Sequence, residues 1–178
     1  LANILGNLVN RTIAMNNKYF DGIVQAPTVP DALDEELQAV ALAMPGKVEQ
    51  KMNELKVADA IDEIFVLLRR ANKYIDETAP WVLAKSEESK SRLLSVMKNL
   101  CEAIRISAIL VSPFMPDSSE AILNQLGVSA ELRSFESLSF RCSRECSWQS
   151  ATAAPLFPRI DVEKALAELE KNGDIINN

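Results

Sequence analysis

Asn3, Asn7 and Arg11 are spaced four residues apart. In a helix that spacing stacks the three side chains along one face. An Asn amide offers a donor and an acceptor, and an Arg guanidinium offers a planar, charged fork. Such a ladder can read the edges of unpaired bases. Gly6 lies within it, removing bulk where something approaches the backbone, at a cost of up to ~1 kcal/mol in a helix interior. Further along, "ANKYIDETAPWVLAK" (Ala71 to Lys85) places Pro80 and Trp81 in a loop just past a helix end. An exposed indole there is a platform on which a base stacks for ~1–3 kcal/mol. Both features have plainer readings. The ladder is then a solvated polar face with a helix-packing glycine, and Trp81 folds back onto the core. Residue pattern alone favours the plainer readings.

Other chemistry is thin. The chain has no histidine, which removes His-based triads, bases and metal sites. Of its three cysteines, Cys101 lies in a helical apolar pattern and reads as a buried free thiol. Cys142 and Cys146 form a lone C-x3-C, which without a second pair or a histidine is a poor zinc site. An odd cysteine count excludes a full disulfide framework and fits a reducing, cytoplasmic setting. Asp59, Asp62 and Glu63 read as a solvated acidic face. No Gly-rich phosphate loop, metal-ligand cluster or nucleophile motif is found, so no catalytic and no metal residue is expected.

The formal net charge of −6 argues against a DNA-binding or sequence-independent nucleic-acid role, because phosphate affinity comes from Lys and Arg. It says nothing about one small patch. No uninterrupted apolar run is long enough for a membrane span, and no membrane partner is expected.

The elements that must position these residues read as helices. Apolar residues make up 48% of 178, with only five glycines among abundant helix formers. The first helix is expected over about 2–20, with Leu1, Ile4, Leu5, Leu8, Met15 and Tyr19 facing inward and Asp21-Gly22 ending it. A second is expected from an Asp31 cap to Met44, where Pro45-Gly46 interrupts and a fresh or kinked helix continues to about Leu55. A third spans about 57–77, with Pro80 forbidding helix at that point. A fourth spans about 88–111, with Leu93, Met97, Leu100, Ile104 and Val111 inward. Asp117 and Glu120 have capping-box spacing for a fifth, ending at Gly127. An irregular stretch and a last helix over about 162–171 follow. The fold class is all-α: a helix bundle over 1–127, with 128–178 as an irregular segment and C-terminal helix packing on it. The chain begins at Leu1 inside a helical pattern, as expected for part of a longer protein.

"GNLVNRTIAMNNKYFDG" (Gly6 to Gly22) taken with the Ala71–Lys85 motif resembles the anticodon-binding domain of bacterial methionyl-tRNA synthetases, which are class I enzymes. "SPFMP" (Ser112 to Pro116) and "PLFPRID" (Pro155 to Asp161) extend the resemblance in the same order. It implies that Trp81, after Pro80, stacks with the anticodon loop, and that Asn7 and Arg11, with Asn3 one turn earlier, read bases. The implied partner is the CAU anticodon loop of tRNA(Met). The implied catalytic Rossmann domain lies upstream and carries the ATP-binding signatures and any zinc, so no cofactor and no catalysis are expected of this chain alone. "SFRCSRECSWQSATAA" (Ser139 to Ala154) departs from the resemblance. Related domains of the Ile, Val, Leu or Cys enzymes, and a helical protein-interaction scaffold, remain as alternatives. The scaffold predicts a buried Trp81 remote from Arg11.

Overall fold

The computed structural model describes residues 1–24, 29–139, 148–158 and 161–172. Cys142, Cys146 and the tail after Gly173 lie outside the described residues. The main helices are α1 (Asn7–Phe20), α2 (Ala32–Asn53), α3 (Val57–Thr78), the single turn α4 (Pro80–Leu83), α5 (Lys90–Val111), α6 (Pro116–Leu126) and α7 (Val162–Asn172). Among the described residues the only sheet is a two-residue antiparallel ladder, β1 (Ile23–Val24) with β2 (Trp148–Gln149). The fold is all-α, as the composition suggests.

Helix α5 is the axis of the bundle. Every residue from Ser95 to Val111 is buried, so α5 is enclosed on all sides rather than on one stripe. Its expected inward residues are indeed buried, but so are Lys98, Asn99, Glu102 and Arg105. A buried charge is tolerated only when it is paired and hydrogen-bonded. Arg105 meets that condition with five bonds. Its Nε donates to Glu102 Oε2 at 2.6 Å, and its two terminal nitrogens donate to Leu132 O, Ser137 Oγ, Ser137 O and Ser139 O. This clamp fixes the 3-10 turns Ala130–Leu132 and Phe135–Ser137 against the bundle.

A second network joins three helices. Asp34 of α2 takes both terminal nitrogens of Arg92 of α5, at 2.6 and 2.7 Å, and the Tyr74 hydroxyl of α3 at 2.6 Å. Asn99 of α5 donates to the same hydroxyl. Burial and the Asp34 carboxylate push the Tyr74 hydroxyl pKa up, beyond its ordinary range. Cys101 is a buried free thiol whose pKa burial pushes up to about 12.

Four details correct the sequence reading. Helix α2 is continuous through Pro45. An internal proline costs ~3 kcal/mol, but Leu37, Ala41, Met44 and Val48 are buried on both sides of it and hold the two halves on one core. The buried stripe of the first helix runs Leu5, Leu8, Val9, Thr12, Ile13 and Asn16, while Leu1 is exposed. Helix α6 starts with Pro116 in its first turn after Met115, so Asp117 lies inside that turn and no side chain caps the helix. Pro suits that position because its fixed φ is already helical. Pro80 likewise starts a helical turn rather than forbidding one. Asp31 does cap α2, accepting from the Leu33 N–H at 2.9 Å.

The segment after β2 forms a strap over the bundle. Ser150 N donates to Gly22 O, Asn17 Nδ2 donates to Ala151 O, and Ala151 N and Ala154 N donate to Gln125 O and Oε1. Gly22 and Gly127 end α1 and α6 in the left-handed conformation. Both also clear the strap: a Cβ at Gly127 would lie 2.1 Å from Gln149 O, and one at Gly22 would lie 2.9 Å from Ser150 O.

Candidate nucleic-acid interface

The first helical stretch is not uniform. Ala2–Gly6 form a π-turn, closed by the Asn7 N–H bonding to Ala2 O, before α1 proper begins. π-turns are rare and recur at functional sites. Leu5 anchors this one in the core, and Asn72 Nδ2 of α3 donates to the Ile4 carbonyl at 3.1 Å. Asn3 in the turn and Asn7 just after it are exposed, and Arg11 follows one helical turn later, half-buried.

Trp81 reaches the same surface by a sharp reversal. Ala79 adopts the left-handed conformation, φ 42°, and its N–H closes α3 on Ile75 O. That conformation costs a non-glycine residue ~1–2 kcal/mol. Pro80 then begins α4, with its ring buried, and Trp81 turns outward, 42% exposed. Thus Pro80 offers no surface to a ligand but fixes the direction of the indole. The Arg11 guanidinium carbon stands 6.0 Å from the centre of the Trp81 ring, at the outer range of a cation–π contact. Arg11 Nη2 also approaches Asp76 Oδ1 at 3.9 Å, and the Asp76 side chain is 71% exposed. That pair is long and solvated, so it holds Arg11 weakly.

Asn3 and Asn7 border an open polar pocket of ~360 Å³ with Gly6, Asn10 and the strap residues Pro155, Leu156 and Phe157. Gly6 therefore does admit a close approach, but by Phe157 of the same chain. The sequence motif "PLFPRID" contains that ring without revealing what it meets. Asn10, Asn72, Asp76 and Phe157 join the site only through the fold. Arg11 and Trp81, which are far apart in sequence, are brought together. Asn3 and Asn7 lie along the helix from that pair.

A helical bundle with a surface indole, an adjacent guanidinium and a line of exposed amides has the parts of a domain that receives splayed single-stranded bases. The comparisons agree with that class. Residues 29–140 match the family described as the anticodon binding domain of methionyl tRNA ligase. The chain belongs to that family.

The methionine–tRNA ligase of Caldanaerobacter subterraneus subsp. tengcongensis is 49% identical over 96% of this chain and 27% of its own length. The Clostridium perfringens ligase is 48% identical over 96% of this chain and 26% of its own. The chain thus spans about a quarter of the length of these relatives. Among solved structures, the free-state Mycobacterium tuberculosis methionyl-tRNA synthetase superposes with TM-score 0.84 at 34% identity, over 90% of this chain and 32% of that one. The same enzyme bound by methionyl-adenylate gives TM-score 0.83. No helix of the described residues is long and apolar enough to cross a membrane, and no group of three His, Cys, Asp or Glu among them is placed to hold a metal ion.

Proposed function

We propose that this chain recognises the anticodon of tRNA(Met), as the RNA-reading part of a methionine–tRNA ligase that charges this tRNA for translation in the cytoplasm. The observation that carries the reading is the pairing of Arg11 with an exposed Trp81 on one surface. A scaffold without an RNA role expects Trp81 buried and remote from Arg11. Trp81 is the stacking platform for one base of the CAU loop. Pro80 aims it. Arg11 and Asn7 place a fork and an amide beside the splayed bases, and Asn3 extends the ladder. An acidic chain can do this because base reading is local and few phosphates need be touched. Domains of the Ile, Val, Leu or Cys enzymes fit less well, since relatives 48–49% identical to this chain are methionine ligases.

Catalysis belongs to the remainder of the parent enzyme, which would bind ATP and any zinc. Its domain is this chain's second partner. The pure chain should therefore show no methionine-dependent pyrophosphate exchange.

The test of anticodon reading is a four-way titration at one fixed salt concentration. Wild type and Arg11→Ala are each titrated with CAU and UAU stem-loops. Wild type should prefer CAU, because polar groups left unpaired by a wrong base cost ~1–3 kcal/mol each. Arg11→Ala should bind more weakly and lose much of the preference. A phosphate-only contact would weaken both loops alike. Equal wild-type affinity for the two loops would falsify the reading.

A further inference from the structure

Three contacts hold the π-turn that carries Asn3. Two come from the bundle: Leu5 sits in the core, and Asn72 donates to the Ile4 carbonyl. The third arrives from the other end of the chain. Phe157 Cδ2 lies 3.0 Å from the point where a Cβ on Gly6 would stand, and its Cε2 lies 3.7 Å from that point. The ring therefore fills the notch that the missing side chain leaves. The strap delivers it there: Asn16 Nδ2 donates to Ser150 Oγ, Asn17 Nδ2 donates to Ala151 O, and Gln125 accepts from Ala151 N and Ala154 N.

A π-turn encloses one more residue than an α-turn and is the less common arrangement. Relaxing it to α-helix would rotate the residues before Asn7, Asn3 among them, about the helix axis. The relative placement of the two amides thus depends on what keeps the turn wide. The pocket they border is walled by Pro155, Leu156 and Phe157, so the same ring also fixes its far side.

We propose that Phe157 is a positioning residue for the anticodon face. By occupying the Gly6 notch it holds the π-turn, and with it the Asn3 and Asn7 amides, in the geometry that meets RNA. The inference rests on the reading that this face binds the anticodon loop. Phe157 itself need not touch a base.

The test compares wild type, Phe157→Ala and Phe157→Leu in three measurements: side-chain amide and backbone Cα resonances without RNA, affinity for CAU and UAU stem-loops at fixed salt, and thermal midpoint. Phe157→Ala should shift the Asn3 and Asn7 amide resonances while leaving the buried Asn99 amide in place. It should weaken CAU binding roughly tenfold, the equivalent of one well-placed hydrogen bond, and shrink the preference over UAU. Phe157→Leu keeps an apolar plug and should restore both. A merely structural ring would lower the midpoint in Phe157→Ala and leave the preference intact. Unmoved Asn3 and Asn7 resonances in Phe157→Ala would overturn the proposal, as would moved resonances with unchanged affinity and preference. Equal wild-type affinity for both loops would instead sink the anticodon reading, and the backbone Cα shifts of residues 2–7, which follow helix type rather than loss of the ring current, would then decide whether Phe157 holds the turn.

Discussion

Arg105 and Arg11 carry the same side chain into two regions with different tasks. Arg105 is fully buried and directs its donors to one carboxylate, one hydroxyl and three carbonyls. Arg11 is about one-third exposed, lies over Trp81, and has a 3.9 Å ion pair with a solvated carboxylate. The interior arginine is committed to one partner set, because an unpaired donor there would cost the full desolvation of that group. The surface arginine keeps donors in water, where a ligand can take them up without breaking anything the fold needs. Trp81 and Tyr74 repeat the contrast a few residues apart on the same sequence motif. The indole is exposed, while the phenol is buried and bonded on both sides.

The largest effect should come from breaking the interior side. Arg105→Leu leaves the acceptors of the 130–139 turns without their donor and should destabilise by ~3–5 kcal/mol. Urea unfolding monitored by helical signal would measure it. A loss near zero would mean that the clamp is ornamental.

Trp81→Ala tests the other side. Stem-loop binding should weaken by ~1–3 kcal/mol, since a stacking platform is lost. The thermal midpoint should move far less than for a core aromatic, whose truncation costs ~3–5 kcal/mol. A large midpoint drop with unchanged RNA affinity would reverse the assignment of the two regions.

Alkaline titration probes the interior region again. Cys101 ionises near pH 8.5 when unfolded but only at about 12 when folded, and the Tyr74 pKa is also raised. The folded state then holds protons that the unfolded state has released, so stability is full below about pH 8.5 and falls above it. Cys101 alone should remove ~2 kcal/mol by pH 10 at ~1.4 kcal/mol per unit, and Tyr74 steepens the loss beyond that. Denaturant midpoints from pH 8 to 11 would show the slope. Cys101→Ala should flatten its first part.

The smallest effect should be Asp76→Asn. The long, exposed pair with Arg11 contributes about 0.5 kcal/mol or less to stability. A drop above about 1 kcal/mol in thermal unfolding would show that Arg11 is held as firmly as an interior arginine.

Much of the fold was legible because helix boundaries depend on local chemistry. Asp31 as a cap, Gly22 and Gly127 as stops, and the apolar stripe of Leu93, Met97, Leu100 and Ile104 all act through neighbours within a turn or two. Pro45 misled because its local cost is offset by contacts that residues 37–48 make across the bundle. The π-turn was invisible, since Ala-Asn-Ile-Leu-Gly is also an ordinary helical pentapeptide. Its distinguishing partners, Asn72 and Phe157, are distant in sequence. For the candidate site, the Asn7–Arg11 spacing and the Pro-Trp pair could be read directly, whereas the π-turn takes Asn3 off the α-helical register that the ladder assumed. The exposure of Trp81 and its place beside Arg11 could not.

By itself the sequence determined the all-helical class, the positions where chain reversal is cheap, and which side chains have the chemistry to meet a base. Periodicity and backbone preference act over a few residues, so they survive without knowledge of the fold. Only the tertiary structure decided that α5 is enclosed on every side, that Gly6 receives Phe157, and that Arg11 stands over Trp81. Those facts depend on which surfaces close against one another. That choice is made by burial summed over the whole core, and no short stretch of residues contains it.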